Sequence, residues 1–378
     1  MKLKQYFTEK QEEMLSLIEK LVNIDSGSYD KQGIDQVGAI LQKEYEQIGF
    51  HVTVHESDQY GNTLSIKHKD AGETNIIIVA HMDTVFPDGT AKQRPFSRDE
   101  KRAYGPGVID MKASQVQVLY IMKGLIEMGS DAYKNVQIVL NSDEEIGSVS
   151  SRPIIEKLAA DKKYALIVEP GRADHSIVSQ RKGGGRFTLT VHGKAAHSGI
   201  EPEKGRSAVE ELAHKIIKIH ALTNYEEGLT LNAGLIEGGT SVNTVAPFAT
   251  AHIDVRVVTQ EQAEYVTKAV EEICSKPDVE GTRVELTGSV GRPPMFLNEQ
   301  SESLLKVIKQ AALEYGVTLK DTKTGGGSDG NFTSALGVAT IDGLGPVGGS
   351  AHSEHEYLEL ETLVERSLVL AETIKKLS

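Results

Sequence analysis

The chain has 378 residues, of which 39% are hydrophobic and 25% are charged, so it is long enough for two folded domains of ordinary globular composition. Its formal net charge of -13, with no offsetting cluster of lysine and arginine, argues against a nucleic-acid partner. The one cysteine, Cys274, excludes an intrachain disulfide bond and a metal site built from thiolates.

The beginning of the chain has the pattern of an amphipathic helix, with apolar residues at helical spacing between Met14 and Val22. It lacks the uninterrupted apolar stretch of a signal peptide, and no later segment reaches the ~20 apolar residues that a membrane-spanning helix requires. We therefore expect no membrane partner and a cytoplasmic location.

The first half of the chain alternates helical patterns with short, continuous apolar runs. The runs lie at 75–80, 136–140 and 165–168, and a crossover helix between the first two ends at Gly129. Continuous apolar runs are typical of strands that are buried on both faces. This order predicts an α/β domain with a mostly parallel sheet and helices on both faces.

The pattern changes near residue 182, where strands begin to alternate apolar and polar residues. Strands and helices, including helices at 205–221 and 260–275, then follow in the order β-α-β-β-α-β, which is the ferredoxin-like arrangement. After residue 292 the helical and buried-strand patterns resume. We therefore expect an α+β domain at 182–292, inserted into a larger domain formed by 1–181 and 293–378.

Polar side chains follow the predicted strands of the larger domain at the points where the strands end. His81 and Asp83 follow the first run, an acidic triplet at 143–145 follows the second, and Glu169 follows the third. Asp110 lies in a loop just before the crossover helix. Open α/β sheets bind ligands beyond the carboxyl ends of their strands, so we expect these groups to share one edge.

Carboxylates that converge at one edge repel one another unless a cation holds them, so this pattern favours a site for two metal ions. Taken singly, a His-x-Asp tripeptide is a common turn and an acidic triplet is a common solvated loop. Imidazole and carboxylate ligands suit zinc, manganese or cobalt, and a further histidine is available within 349–360. On this reading Asp83 accepts the spare ring N–H of His81 and is not itself a ligand.

The motifs around these residues resemble those of the M20 family of dinuclear metallohydrolases. Within that family the resemblance is to glutamate carboxypeptidases of the carboxypeptidase G2 type. The matching blocks occur in the family's order over most of the chain: HMDTV (81–85), GPGVIDMKA (105–113), SDEEIGS (142–148), VEPG (168–171), GKAAHSG (193–199), SVNTVAP (241–247), GGGSDGN (325–331) and HSEHEY (352–357).

The resemblance implies a zinc-peptidase-like fold that binds two divalent metal ions, zinc by preference, with cobalt or manganese as alternatives. One ion would be bound by His81, Asp110 and Glu169, and the other by Asp110, Glu145 and His352, with Asp110 bridging. It also implies a cis peptide bond between Asp110 and Met111.

The resemblance assigns the general base to Glu144. If 143–145 is extended, adjacent side chains point in opposite directions, so Glu144 can face the attacking water while Glu145 binds a metal. Asp143 is then expected to be structural. The segment HSEHEY contains two histidines, and the family spacing selects His352 over His355.

The inserted domain is expected to contribute substrate contacts. The resemblance makes His197 the residue that stabilises the oxyanion, although an isolated loop histidine is ordinarily a surface residue. An arginine on the polar side of a strand, such as Arg256, is ordinarily just exposed, but the resemblance makes Arg256 the candidate that binds the substrate α-carboxylate, with Asn243 beside it. Two glycines, Gly326 and Gly327, would allow close approach of the backbone to the substrate.

These expectations point to an enzyme that cleaves an amide next to a free carboxylate. The preferred reading is a carboxypeptidase that releases a C-terminal amino acid such as glutamate from a small peptide or N-acyl amino acid. An N-acyl-amino-acid deacylase or a tripeptidase of the same family is the alternative, and a non-catalytic two-domain binding protein is the alternative outside enzymes. The resemblance also implies a homodimer formed through the inserted domain.

Overall fold

The computed structural model describes residues 2–378 of the chain. The helices are α1 (Lys2–Val22), α2 (Lys31–Gln47), α3 (Thr90–Gln93), α4 (Ala113–Glu127), α5 (Arg152–Ala159), α6 (Ala208–His220), α7 (Gln260–Cys274), α8 (Glu299–Leu313), α9 (Gly330–Ala335) and α10 (Leu360–Leu377). The strands are β1 (Phe50–His55), β2 (Thr63–His68), β3 (Ile76–His81), β4 (Ser97–Arg98), β5 (Arg102–Tyr104), β6 (Val136–Asn141), β7 (Tyr164–Ile167), β8 (Ile177–Arg181), β9 (Gly183–His192), β10 (Thr230–Gly238), β11 (Phe248–Val257), β12 (Arg283–Arg292), β13 (Asp321–Thr324), β14 (Ala339–Ile341), β15 (Gly348–Gly349) and β16 (Tyr357–Glu359).

These elements form two compact units. The larger unit contains the chain up to Gln180 together with Leu297–Thr324 and Ser328–Ser378. The smaller unit contains Arg181–Phe296 and Gly325–Gly327. We propose that they are the catalytic and the inserted domain that the sequence predicts. Within residues 2–378, no helix combines the length and apolar character needed to cross a membrane.

The larger unit is built on a sheet whose described strands follow the order β1-β2-β6-β3-β7-β14. Strands β6, β3, β7 and β14 are parallel to one another, whereas β1 and β2 are antiparallel at one edge. Because β6 and β3 run in the same direction, they end together, with His81 opposite Asn141. This common end is the edge at which the sequence places its polar side chains.

Helices cover both faces of this sheet. Ile76 and Ile78 of β3 belong to an apolar cluster that includes residues of α1, α2, α4, α8 and α10. Ile77 and Val79, which point to the opposite face, belong to a second cluster that includes residues of α5. Burial on both sides explains why these strands are continuous apolar runs in the sequence. The predicted mixed α/β fold with a mostly parallel sheet is confirmed.

The smaller unit contains an antiparallel sheet whose described strands follow the order β10-β11-β9-β12. Alternate residues of β9, Phe187, Leu189 and Val191, are buried in a cluster that also contains residues of α6 and α7. Helix α7 begins with a capping box between Thr259 and Gln262, which satisfies backbone N–H groups of its first turn. The chain order β9-α6-β10-β11-α7-β12 is the predicted ferredoxin-like one.

Candidate metal centre and active site

Five side chains with the chemistry of metal ligands meet at the carboxyl end of the parallel strands in the larger unit. His81 is the last residue of β3, Glu145 follows β6, and Glu169 follows β7. Asp110 lies in the turn before α4, and His352 lies in the loop before β16. Because parallel strands end at the same edge, residues that are distant in the sequence converge there.

The five side chains form two groups that share Asp110. In the first group, His81 Nε2 lies 3.1 Å from Asp110 Oδ1 and 3.7 Å from Glu169 Oε1. In the second, His352 Nε2 lies 3.2 Å from Asp110 Oδ2 and 3.1 Å from Glu145 Oε1. The candidate ligand atoms of each group all lie within 4.8 Å of one another. Asp110 therefore directs one oxygen to each group, as a bridging carboxylate does.

Burial and close packing perturb the titration of all five groups. Burial raises the pKa of Glu145 to about 7 and raises the pKa of Glu169 well above its usual value. Hydrogen bonds with Asp110 and Glu145 raise the pKa of His352 to about 10. Burial favours neutral His81, yet the carboxylates around it raise its pKa overall. Burial also opposes ionisation of Asp110, but the two histidines lower its pKa.

This donor set fits two divalent cations. Two imidazoles and three carboxylates are ligands that suit zinc, manganese and cobalt. Closely packed carboxylates disfavour one another's ionised form, and a cation bound between them removes that repulsion. Metal binding must displace protons from the imidazoles, so the affinity of the site for metal should fall as the pH is lowered.

Asp83 connects the first histidine to the acidic turn. His81 Nδ1 lies 2.9 Å from the backbone oxygen of Asp83 and 3.4 Å from its carboxylate. The buried carboxylate accepts hydrogen bonds from the backbone N–H groups of Glu144 at 3.1 Å and Glu145 at 3.2 Å, and from the hydroxyl of Ser28 at 2.6 Å. Asp83 can therefore orient the ring of His81 and hold the backbone of the acidic turn in one position.

The acidic turn itself differs from the sequence-based expectation. Glu144 begins a single turn of 3-10 helix that ends at Ile146, so the premise of an extended segment is wrong. Glu144 is partly exposed beside the cluster, and its charge contributes to the raised pKa of Glu169. Asp143 is fully buried and accepts hydrogen bonds from Ser150 and Ser151. These contacts support the structural role that was expected for Asp143.

The two histidines of HSEHEY have different surroundings. His352 belongs to the second ligand group and has a backbone φ of 65°. The side chain of His355 is 79% exposed, and its nearest ionic contact is Glu354 at 3.6 Å. The geometry therefore supports His352 as the ligand. The peptide bond between Asp110 and Met111 is cis, which confirms that expectation.

A cavity of about 650 Å³ opens beside Glu145 in the larger unit. It is lined by residues 27–30, 84–88 and 145–146. Apolar groups from Val85, Phe86 and Ile146 contribute to its walls, and Val85 is 42% exposed. The cavity reaches a candidate metal ligand, so a group bound in it would lie next to the metal centre.

The candidate oxyanion residue His197 lies in the smaller unit, in the exposed loop after β9. The backbone N–H of Gly199 donates to His197 Nδ1 at 3.1 Å. Because Nδ1 accepts this hydrogen bond, the ring is assigned the tautomer in which Nε2 carries the proton. In this tautomer the ring can donate a hydrogen bond from Nε2.

The other expected substrate residues also lie in the smaller unit. Arg256 is paired with Asp254, with Nε and Nη2 donating to its carboxylate at 2.9 and 3.1 Å. The edge formed by Nη1 and Nη2 retains donors for a second carboxylate. Asn243 is exposed, and its side-chain oxygen accepts from the Ser241 hydroxyl at 3.1 Å.

The two glycines expected to approach the substrate contact arginines of the smaller unit. The backbone oxygens of Gly326 and Gly327 each accept a hydrogen bond from Arg181 at 3.3 Å. A Cβ atom on Gly327 would lie 2.5 Å from Cδ of Arg292, so a larger residue here would require the arginine side chain to move. That constraint is a structural reason for Gly327, independent of any substrate.

Two further residues support the site without having been singled out in the sequence. Gln115 of α4 donates from Nε2 to the backbone oxygen of His81 at 2.6 Å. Asp329 is 2% exposed and accepts hydrogen bonds from Asn141 and Ser148, which flank the acidic turn. Asp329 belongs to the block GGGSDGN, so the motif was recognised, but no local pattern revealed its partners.

Comparisons with known proteins agree with this geometry. The profile of Peptidase family M20/M25/M40 matches residues 77–376. Carboxypeptidase G2 of Pseudomonas sp. is 30% identical over 98% of this chain and 90% of its own length. A succinyl-diaminopimelate desuccinylase of Variovorax paradoxus is 25% identical over 96% of this chain and 97% of its own length.

A solved structure supports the fold at lower identity. The aminopeptidase PepT of Bacillus cereus is 23% identical and superimposes with a TM-score of 0.79, covering 97% of this chain and 98% of the other. Its likeness bears on the architecture alone. Together with the family profile, the 30% identity over nearly the whole chain shows that this protein belongs to peptidase family M20 and is a hydrolase of the peptidase type.

Proposed function

We propose that this protein is a metal-dependent carboxypeptidase that hydrolyses the amide next to a free carboxylate and releases a C-terminal amino acid such as glutamate. The observation that carries the proposal is the pair of ligand groups sharing Asp110, with Glu144 beside them. Similarity to carboxypeptidase G2 supports a carboxypeptidase, and similarity to a desuccinylase keeps an N-acyl-amino-acid deacylase as the alternative. A tripeptidase is a further alternative, and an intact ligand set argues against a non-catalytic binding protein.

The metal centre is proposed to be dinuclear. His81, Asp110 and Glu169 would hold one ion, and Asp110, Glu145 and His352 would hold the other. The ions, zinc by preference with cobalt or manganese as alternatives, would lower the pKa of the attacking water and polarise the scissile carbonyl. This arrangement is supported by the position of Asp110, whose Oδ1 faces His81 and whose Oδ2 faces His352.

Glu144 is proposed to be the general base. Its carboxylate accepts a proton from water as the water oxygen bonds to the carbonyl carbon, and it returns the proton to the nitrogen as the C–N bond breaks. The products are a carboxylic acid and an amine. Asp83 supports this role, because its carboxylate fixes the backbone N–H groups of the turn that contains Glu144.

Residues of the smaller unit are proposed to bind the substrate. Arg256 would receive the free α-carboxylate on its Nη1 and Nη2 edge, with Asn243 as a further donor. His197 would donate from Nε2 to the oxygen that becomes negatively charged during the reaction. The cavity beside Glu145 would receive part of the acyl portion, and its apolar walls favour an apolar group there.

The protein is also proposed to be a homodimer through the smaller unit. Strand β10 is an edge strand whose Leu235 and Ile236 are 65% and 59% exposed. On α6, Val209 and Ile217 are also exposed, and they lie on one face of the helix. Exposed apolar groups on an edge strand and on a neighbouring helix are typical of a surface that pairs with a second copy. A cytoplasmic location remains part of the proposal.

A substrate panel tests the reaction. The purified protein would be loaded with Zn²⁺, Co²⁺ or Mn²⁺ and incubated with N-acyl amino acids, dipeptides and tripeptides, with products identified by mass spectrometry. We expect release of a free C-terminal amino acid from blocked peptides. Preferential removal of a succinyl or acetyl group from simple amino acids would instead establish a deacylase, and release of the N-terminal residue from tripeptides would establish a tripeptidase.

A further inference from the structure

Glu356 is a buried carboxylate within the block HSEHEY, and the resemblance assigns it no role. It lies four residues after His352, immediately before β16, and is 1% exposed. Its Oε1 accepts the backbone N–H groups of Ile109 at 2.9 Å and Asp110 at 3.1 Å, and its Oε2 accepts that of Gly107 at 3.0 Å. All three donors belong to the short segment that ends in Asp110.

These hydrogen bonds fix the position of the Asp110 backbone. One of the donors is the N–H of Asp110 itself, so the backbone atom next to its side chain is fixed directly. The side chain of Asp110 then reaches His81 with one oxygen and His352 with the other. A shift of this backbone would move both oxygens together, because they belong to one rigid carboxylate. The segment 352–356 therefore supplies one ligand and anchors another.

We propose that Glu356 is a positioning residue that places the shared carboxylate Asp110 and thereby sets the metal affinity of both cation sites. This inference rests on the proposed dinuclear function. A positioning role can be told apart from a purely structural one. A structural residue would lower the stability of the protein but leave the metal affinity of the folded protein unchanged, whereas a positioning residue changes that affinity.

The chemistry of the side chain provides a sharp test. A carboxylate has two oxygens and can accept all three N–H groups, whereas a glutamine of the same size has one acceptor oxygen and one NH₂ donor. In Glu356→Gln, at least one N–H of the segment must therefore face another donor and lose its partner. Glu359→Gln is a matched control, because it makes the same change three residues later, where Glu359 faces Arg102 at 3.8 Å and His175 at 3.6 Å.

The experiment is a titration of metal-free protein with Co²⁺, followed by calorimetry and by the visible absorption of the bound ion. Outer contacts of metal ligands typically contribute about 10- to 100-fold to affinity. We expect Glu356→Gln to bind both Co²⁺ ions about 10- to 100-fold more weakly and to alter their spectrum, while Glu359→Gln matches the wild type. Glu145→Gln, measured in parallel, should weaken one ion selectively. Saturating Co²⁺ should restore much of the lost turnover in Glu356→Gln.

Several results would overturn the inference. Two ions bound with wild-type affinity and spectrum, or weakening of one ion alone, would show that Glu356 does not act through Asp110. If Glu356→Gln yields no folded protein, Glu356→Asp is titrated in the same way, since its shorter carboxylate cannot reach all three donors. A wild-type protein that binds fewer than two ions would reject the proposed dinuclear function, which is a separate outcome.

Discussion

Replacing Glu144 by glutamine is expected to abolish most turnover while both cations remain bound. Glutamine keeps the size of the side chain and cannot accept a proton from water, so the base contribution of ~10²- to 10⁴-fold, or ~2.7–5.4 kcal/mol of transition-state stabilisation, is lost. The backbone should stay in place, because the N–H groups of Glu144 and Glu145 are both held by the buried carboxylate of Asp83.

The neighbouring substitution is the matched control, because it makes the same change in the same turn. Glu145 Oε1 lies 3.1 Å from His352 Nε2 in the second ligand group, so Glu145→Gln should weaken one metal ion. The assay combines metal content after dialysis with kcat at saturating metal. We expect about two ions per chain for Glu144→Gln and about one for Glu145→Gln. The reverse pattern, with metal lost from Glu144→Gln alone, would refute this division of roles.

Four further predictions follow from the same structure. Arg256→Lys keeps the charge but loses the planar fork, so kcat/KM on substrates with a free carboxylate should fall by an amount equivalent to roughly 1.5–3 kcal/mol; unchanged efficiency would exclude the clamp. If His197 acts in the partner's site, inactive Glu144→Gln and His197→Ala proteins should regain up to about a quarter of wild-type activity after subunit exchange, since about half the dimers then contain one intact site; confirmed exchange without recovery would exclude the trans arrangement. A chelator should abolish activity while circular dichroism remains that of a folded protein, because the apolar core contains no metal ligand; active protein with less than one ion per chain would contradict the dinuclear centre. Hydrogen bonds from Lys215 and Lys218 lower the pKa of Asp278 to about 2 from its ordinary 3.8, so the carboxylate stabilises the fold above about pH 4 and this contribution is lost as the pH falls to about 2; urea unfolding of wild type and Asp278→Asn should therefore converge over that range, and a constant difference would contradict the ion pairs.

The sequence determined the fold class and predicted the location of the candidate site, because both follow from local patterns. Continuous apolar runs require strands that are buried on both faces, which predicts a sheet covered by helices. Polar residues that directly follow such runs must lie at the strand ends, and His81 and Glu169 do so. Asp110 was recognised by its place in the loop before the crossover helix, whereas only the family spacing selected His352 over His355. The roles of these residues remain proposals, although the structure brings their side chains together.

Only the tertiary structure decided which contacts support those residues. The turn after β6 is a 3-10 helix, and Asp83 accepts hydrogen bonds from two of its N–H groups across about sixty residues of sequence. Arg256 is already paired with Asp254, which the strand pattern did not reveal. Glu356 reaches the segment before α4 across 246 residues of sequence. Periodicity reports which face of an element is buried, whereas hydrogen bonds between distant segments depend on how those elements pack, so they leave no local signal in the sequence.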